Sequence, residues 1–136
     1  IETEDSGVVN IKWRNGALGS MAVTMLTYPQ NYEGSITILG ENGTVRLGGI
    51  ALNQIETWCF KDGKDNDDQA TTINYDTRSV YGHGHQTYYE QVIDVIKKGR
   101  PPAVDGRSGL RSLELLVAIS RSASRRETVY LPLNID

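Results

Sequence analysis

The sequence predicts an α+β fold, a two-layer sandwich in which a mixed, mostly antiparallel sheet of about six strands carries two main helices on one face. Short β-type segments joined by tight turns fill residues 7–60, without the strand–helix alternation of a parallel sheet. Two amphipathic helical patterns follow, and ETVYLPL at 127–133 reads as a closing strand. Two apolar helix faces and one half-apolar sheet are most simply buried against each other.

The first predicted hairpin has the clearest pattern. In GVVNIKWR (7–14), apolar and polar residues alternate, as in a half-buried strand. Asn15-Gly16 follows, a pair that suits a type I′ turn. ALGSMAVTML (17–26) then alternates again and predicts the return strand.

Three further strands are predicted before the helices. GSITIL (34–39) and TVRL (44–47) are joined by Asn42-Gly43, a second hairpin signal. Gly48-Gly49 predicts a bulge or sharp bend. IALNQIETWCF (50–60) supplies a fifth strand, in which Cys59 is predicted to be a buried structural cysteine.

The first helix is predicted from apolar residues three and four positions apart. Gly99 is placed to cap it, and Pro101-Pro102 prevents its continuation. Thr87 and Glu90 match a capping box, although a start near His83 is an alternative. The apolar positions are Tyr89, Val92, Ile93 and Ile96.

The second helix is predicted to begin after Asp105, a good N-cap residue. Arginines gather at its C-terminal end, where positive charge complements the helix dipole. Its broad apolar face consists of Leu110, Leu113, Leu116, Val117 and Ile119.

Composition and charge exclude several classes of protein. The 136 residues suit one compact domain, and a net charge of −3 offers no basic patch for nucleic acid. No apolar run is long enough to span a membrane. A single cysteine suits a reducing compartment, so a cytoplasmic protein is expected. Since the chain begins at Ile1, we expect it to be a piece of a longer protein.

The polar segment 61–76 is predicted to be a solvated loop. Its aspartates suggest calcium, but their spacing lacks the central glycine and terminal glutamate of the calcium-loop template. A binding role is therefore not expected there.

One face of the sheet should stay open, because two helices can cover only the other. The exposed set would be Lys12, Ser20, Ala22, Thr24 and Thr37. Such small and polar groups can meet water, a substrate or the sheet of a second subunit. We expect sheet-to-sheet association into at least a dimer, burying more than about 1,000 Å² in total.

Catalytic signatures are absent from the sequence. No G-x-G-x-x-G fingerprint is present, so no residue is assigned to cofactor binding, and NAD is not expected to bind this chain alone. No nucleophile–base set occurs at a recognisable spacing, so no residue is assigned a catalytic role. His83 and His85 lack further metal ligands nearby, and no metal site is predicted.

Two loops remain as candidates for substrate binding. His83 and His85 are either polar groups at the entry to a helix or face an anionic or hydroxylated ligand. Tyr28, Asn31 and Tyr32 either cover the core edge or form a stiff wall of hydrogen-bonding groups. If both loops face a ligand, they should converge at one edge of the sheet.

Four segments together resemble the C-terminal domain of the Gfo/Idh/MocA family of oxidoreductases. They cover nearly the whole chain: NYEGSITILGENGTVRLGG (31–49), GHGH (82–85), GRPPAVDGRSGLRSLELLVAISRSA (99–123) and ETVYLPL (127–133). Within the family, the NYEGS and GHGH elements are most similar to the branch that acts on UDP-N-acetylglucosaminuronic acid at its 3-hydroxyl.

The resemblance implies an NAD(P)-dependent sugar or nucleotide-sugar oxidoreductase whose dinucleotide-binding domain and catalytic residues lie outside residues 1–136. This chain would then shape the substrate site and form a homo-oligomer through its open sheet. It would be inactive by itself. The alternatives are a stand-alone sugar- or nucleotide-binding module, or a structural oligomerisation domain without redox activity.

Overall fold

The computed structural model describes residues 4–63 and 74–133, and it confirms the α+β class. Within these residues, five strands form two antiparallel sheets, β1–β2 and β3–β4–β5. The two-layer sandwich is not confirmed. The elements are β1 Ser6–Lys12, β2 Leu18–Thr24, β3 Ile36–Gly40, β4 Gly43–Gly48, β5 Gln54–Phe60, α1 Gly84–Lys98 and α2 Gly106–Arg125.

The chain divides into two compact units, and the division falls within α1. One unit comprises 4–23 and 92–133 of the described residues, with the first hairpin and α2. The other comprises 24–63 and 74–91, with the three-stranded sheet and the beginning of α1. All candidate substrate-binding residues belong to this second unit. Most of the polar segment predicted at 61–76 lies outside the described residues.

The first hairpin turns through three residues instead of the predicted two. The Trp13 carbonyl accepts from the Gly16 N–H at 3.0 Å, and the Trp13 N–H donates to the Ala17 carbonyl at 2.9 Å. Gly16 has φ 92°, whereas Asn15 is not in the left-handed region. A type I′ turn needs positive φ at both central residues, so this prediction was wrong. The glycine instead supplies the one left-handed residue of a longer loop.

In the second sheet, β4 is the central strand and the most shielded of the three. Its antiparallel register pairs Val45 with Ile38 on one side and with Trp58 on the other. The tight turn to β3 consists of Glu41 and Asn42, because Gly40 already pairs with Gly43. Asn42-Gly43 is therefore not the centre of the turn. The predicted bend at Gly48-Gly49 is confirmed by φ 83° at Gly49.

Helix α1 ends as the sequence predicts. Gly99 has φ 59°, its N–H donates to the Ile96 carbonyl at 3.4 Å, and the Arg100 N–H donates to Val95 at 3.3 Å. These two bonds form the Schellman arrangement, which satisfies carbonyls in the last turn. The helix begins at Gly84, so the alternative start near His83 is confirmed, and Thr87 lies inside the helix instead of capping it.

Helix α2 begins with the predicted cap. Asp105 is extended, and its Oδ1 accepts from the Ser108 N–H at 2.9 Å. At the other end, Arg126 takes a left-handed conformation, and its N–H donates to the Ser122 carbonyl at 2.8 Å.

Residues 127–133 are not a strand, which corrects the prediction of a sixth one. The Leu133 N–H donates to Glu114 Oε1 at 2.7 Å, and Arg14 donates to the Leu131 carbonyl at 2.7 Å. Ser122 Oγ donates to the Glu127 carbonyl at 2.6 Å. The backbone groups that a sheet ladder would use are thus partly occupied by side chains.

Burial differs most from the sequence-based expectation. Among the described hydrophobic residues, only Ala118 on α2 is buried. Most residues of the predicted core faces of both helices are exposed, with Ile96 at 74% and Leu116 at 61%, whereas Val92, Val117 and Ile119 are half-buried. Cys59 is exposed as well, so its predicted burial was wrong. Periodicity indicates which face is apolar, but not what covers it.

The Asp105 cap gives a pH-dependent prediction. The hydrogen bond from the Ser108 backbone N–H lowers the pKa of the Asp105 carboxyl below its usual value. A lowered pKa in the folded state means that the charged cap stabilises the fold above the unfolded-state pKa, about 4, and loses this effect as the pH falls through the folded-state pKa.

Asp105→Ala should therefore lower the unfolding midpoint at pH 7 by a few degrees, and Asp105→Asn by less, because Asn keeps the acceptor. Thermal unfolding followed by circular dichroism from pH 7 downwards measures both differences. The difference in unfolding midpoint between the wild type and Asp105→Asn should disappear in acid. A difference that is independent of pH would show that the charge of Asp105 contributes nothing to stability.

Candidate functional site

Two imidazole–phenol pairs mark the start of α1. The rings of His83 and Tyr75 are stacked, with centroids 4.8 Å apart and an interplanar angle of 25°. Those of His85 and Tyr81 are tilted, with centroids 5.3 Å apart. Both histidines are exposed. The predicted histidines therefore lie on the surface beside aromatic partners, where a ligand can reach them.

Gly82 lets the chain approach Tyr75 closely. Its φ is 55°, and a Cβ at this position would collide with the Tyr75 hydroxyl. The same Cβ would lie 3.7 Å from the Ala51 Cβ. A glycine is therefore needed both for the backbone conformation and for the space.

The other candidate loop presents its side chains to solvent. Tyr28 is 94% exposed and Tyr32 82%, and Asn31 is also exposed. Within residues 4–63 and 74–133, no side-chain hydrogen bond holds any of these three. Their phenol and amide groups are thus available to a ligand.

The end of this loop is anchored by an ion-pair cluster. Arg46 on β4 contacts Glu33 at 2.6 Å, Glu56 at 2.5 Å and the Thr37 hydroxyl at 3.0 Å. A side-chain hydrogen bond from Ser35, together with Arg46, lowers the pKa of Glu33. Hydrogen bonds and charge attraction from Glu56, then from Glu33, raise the pKa of Arg46. Glu33 and Arg46 therefore stay charged near neutral pH.

The turn at 49–53 contacts the neighbourhoods of both loops. On one side the Gly34 N–H donates to the Gly49 carbonyl at 2.7 Å. On the other, Asn53 Nδ2 donates to the Tyr75 carbonyl at 2.5 Å, and Tyr75 stacks on His83. In the described parts of the chain, no hydrogen bond or ring contact joins residues 28–32 directly to His83 or His85. Convergence of the two loops on one ligand stays a prediction.

Three residues of this region were missed in the sequence. Tyr81 had a usable signal, because it lies four positions before His85 in a glycine-rich segment. Asn53 had a weaker one, a polar residue within an apolar run after Gly48-Gly49. Tyr75 had none, since only the tertiary structure brings it to His83.

The groups gathered here are suited to binding rather than to bond breaking. Imidazole, phenol and amide groups donate and accept hydrogen bonds to hydroxyl, carboxylate and phosphate oxygens. No cluster of three His, Cys, Asp or Glu side chains suited to a metal ion occurs in the described residues. No helix of that part of the chain is long and apolar enough to cross a membrane.

The sequence model of the oxidoreductase family C-terminal alpha/beta domain, in the Gfo/Idh/MocA class, matches residues 1–131. The chain belongs to this family. Two solved structures are similar to this Gfo/Idh/MocA domain. The first is the WlbA dehydrogenase from Bordetella pertussis in complex with NADH and UDP-GlcNAcA, with 55% identity and a TM-score of 0.89. The second is the WlbA dehydrogenase from Chromobacterium violaceum with the same two ligands, with 51% identity and a TM-score of 0.85.

The Gfo/Idh/MocA domain corresponds to only part of those enzymes. The two matches cover 98% of this chain, but 39% of the Bordetella chain and 37% of the Chromobacterium chain. Among curated proteins, none matches.

Proposed function

We propose that residues 1–136 are the C-terminal substrate and oligomerisation domain of a two-domain, NAD(P)-dependent dehydrogenase that oxidises UDP-N-acetylglucosaminuronic acid at its 3-hydroxyl. One observation carries this proposal: 55% identity over 98% of the chain to a dehydrogenase solved with NADH and UDP-GlcNAcA. The exposed imidazole, phenol and amide groups of the candidate loops suit such a ligand. The single cysteine of these 136 residues fits a reducing cytoplasm.

The cofactor would be held outside this chain, because the sequence lacks the glycine-rich turn that receives a pyrophosphate. A nicotinamide bound there would supply the acceptor for the hydride that leaves the sugar carbon. The residues of this chain bind and orient the sugar nucleotide. No catalytic acid or base is assigned to them.

Each candidate residue has chemistry that matches part of the proposed ligand. His83 and His85 lie at the N-terminal end of α1, where free backbone N–H groups favour the negative charge of a uronate or diphosphate. Tyr28, Asn31 and Tyr32 offer hydrogen bonds to sugar hydroxyls and to the base. The proposal is that both loops face the same nucleotide sugar.

Oligomerisation would use the first hairpin. Ser20 and Ala22 are exposed along β2, and their small side chains would let the sheet of a second copy approach to about 10 Å. Light scattering tests this proposal: Ala22→Arg should lower the mass of the full-length enzyme, whereas a wild type that is already monomeric would refute it.

Kinetics of the full-length enzyme test the proposed function. His83→Ala, His85→Ala and Tyr32→Phe should each raise KM for UDP-GlcNAcA by about tenfold, since each removes a hydrogen bond to a charged or polar ligand. KM for NAD should not change. Tyr130→Phe is the matched control, because this tyrosine is 83% exposed and lies outside both candidate loops.

Calorimetry with each ligand, together with an assay of NAD reduction, distinguishes the dehydrogenase from a stand-alone binding module and from a structural domain. A full-length protein that binds UDP-GlcNAcA but never reduces NAD would support a stand-alone binding module. A protein that binds neither ligand would leave only a structural role. Millimolar or tighter binding of NAD to residues 1–136 alone would contradict the proposal that the cofactor is held outside this chain.

A further inference from the structure

Asn53 is the one buried polar residue of the described chain, with 6% exposure. Burying an amide is unfavourable unless its donors and acceptors are satisfied. Its neighbour Leu52 has φ 53°, a left-handed conformation that is costly for a branched side chain. A costly backbone conformation beside a buried amide persists only when surrounding contacts hold it, so the contacts of this turn are informative.

Among the described residues outside its own turn, the hydrogen-bond partner of Asn53 is Tyr75. Oδ1 accepts from the Ala51 N–H at 3.2 Å, which closes the turn upon itself. Nδ2 donates to the Tyr75 carbonyl at 2.5 Å, and the Asn53 carbonyl accepts from the Tyr75 N–H at 3.2 Å. Both backbone polar groups of Tyr75 are therefore bound to Asn53.

Tyr75 in turn contacts the entry to α1. Its ring stacks on His83, and its hydroxyl occupies the space that a side chain at position 82 would need. Since the Tyr75 backbone is held by Asn53, the position of the imidazole depends on a residue that lies 30 positions earlier in the chain. His83 itself makes no described side-chain hydrogen bond that would hold it in another way.

The opposite end of the same turn supports the other candidate loop. Gly49 accepts from the Gly34 N–H, and a Cβ on Gly49 would collide with Asn53 Oδ1. Glu33, next to Gly34, is held by Arg46. The turn that contains Asn53 therefore also binds the backbone at Gly34, beside the other candidate loop.

We propose that Asn53 is a positioning residue of the nucleotide-sugar site, which sets Tyr75 and through it His83. The inference rests on the proposed function, and it names a residue that determines affinity for the substrate without touching it. In this role Asn53 need not determine the fold or form a hydrogen bond to the ligand.

The test is a set of paired variants in the full-length enzyme. Asn53→Asp keeps the acceptor for the Ala51 N–H but replaces the donor to the Tyr75 carbonyl with a repelling oxygen. The matched control is Asn74→Asp, because among the described residues the Asn74 side chain serves only as acceptor, from the Ile55 N–H at 2.7 Å. Tyr75→Leu removes the ring, whereas Tyr75→Phe keeps it.

We expect Asn53→Asp and Tyr75→Leu each to raise KM for UDP-GlcNAcA by about tenfold, with KM for NAD unchanged. Asn74→Asp should stay within about twofold of the wild type, and Tyr75→Phe, which keeps the ring, should recover most of the affinity that Tyr75→Leu loses. Because the two residues act in series, the double variant Asn53→Asp/Tyr75→Leu should be little worse than either single one. Effects that multiply in the double variant would overturn the proposal.

A second readout separates positioning from a general loss of stability. In the enzyme labelled with ¹³C-histidine, the His83 ring resonance should be shifted by the stacked Tyr75 ring, and this shift should disappear in Asn53→Asp. A lower unfolding midpoint with unchanged KM and an unchanged His83 resonance would mean that Asn53 is merely structural. If the wild type does not bind UDP-GlcNAcA, the proposed function fails, and the His83 resonance alone decides whether Asn53 positions this ring.

Discussion

Gly43→Ala is expected to lower the free energy of unfolding by about 1–3 kcal/mol, the usual cost of forcing extra atoms into a packed position. Gly43 begins β4 and pairs with Gly40 on one side and Phe60 on the other. A Cβ here would lie 2.5 Å from the Cys59 carbonyl oxygen and 2.5 Å from the Phe60 ring. Because one of these atoms belongs to the backbone of β5, the strand pair itself would have to move.

Gly109→Ala is the matched control for Gly43→Ala. Gly109 lies within α2, and a Cβ there would meet nothing within 4 Å. Alanine is the better helix former, so this variant should gain up to about 1 kcal/mol. Urea unfolding of both variants measures the difference. Equal stability of the two would refute the close approach at Gly43.

Gly49→Ala should cost about 2–4 kcal/mol, because it combines backbone strain with a collision. Gly49 has φ 83°, and its Cβ would collide with the buried Asn53 side chain. The substitution should also weaken substrate binding in the full-length enzyme, since the turn at 49–53 contacts both Gly34 and Tyr75.

Gly16→Ala separates the two contributions at Gly49. Gly16 has a similar φ of 92°, but nothing lies within 4 Å of the added Cβ. It should therefore show only the conformational cost, about 1–2 kcal/mol. If the two variants lose the same stability in urea unfolding, the collision with Asn53 is absent and the turn is less tightly packed than described.

Local chemistry explains why many sequence predictions succeed. The Asp105 cap, the Gly99 helix end and the bend at Gly48-Gly49 each depend on one or two residues and their immediate neighbours. The alternation of 7–14 and the three- and four-residue spacing of 89–96 likewise identify a strand and a helix. The family membership follows from longer segments of the same sequence.

The failures concern contacts between distant parts of the chain. The segment 127–133 has the composition of a strand, but Glu114, Arg14 and Ser122 bind its backbone instead. Cys59 lies in an apolar run, yet it is exposed because no described element covers that position. Neither outcome can be predicted from the residues adjacent to these positions.

The candidate site shows the same difference between features set by neighbouring residues and contacts between distant ones. By itself the sequence determined that His83, His85, Tyr28, Asn31 and Tyr32 are polar or amphipathic groups in glycine- and proline-containing loops, since this depends only on residue type and order. Only the tertiary structure decided that Asn53 is buried and holds Tyr75, and that Tyr75 stacks on His83. Turns and caps are short-range and can be predicted from neighbouring residues. Which distant residues meet depends on how the elements pack, and that is a property of the whole folded chain.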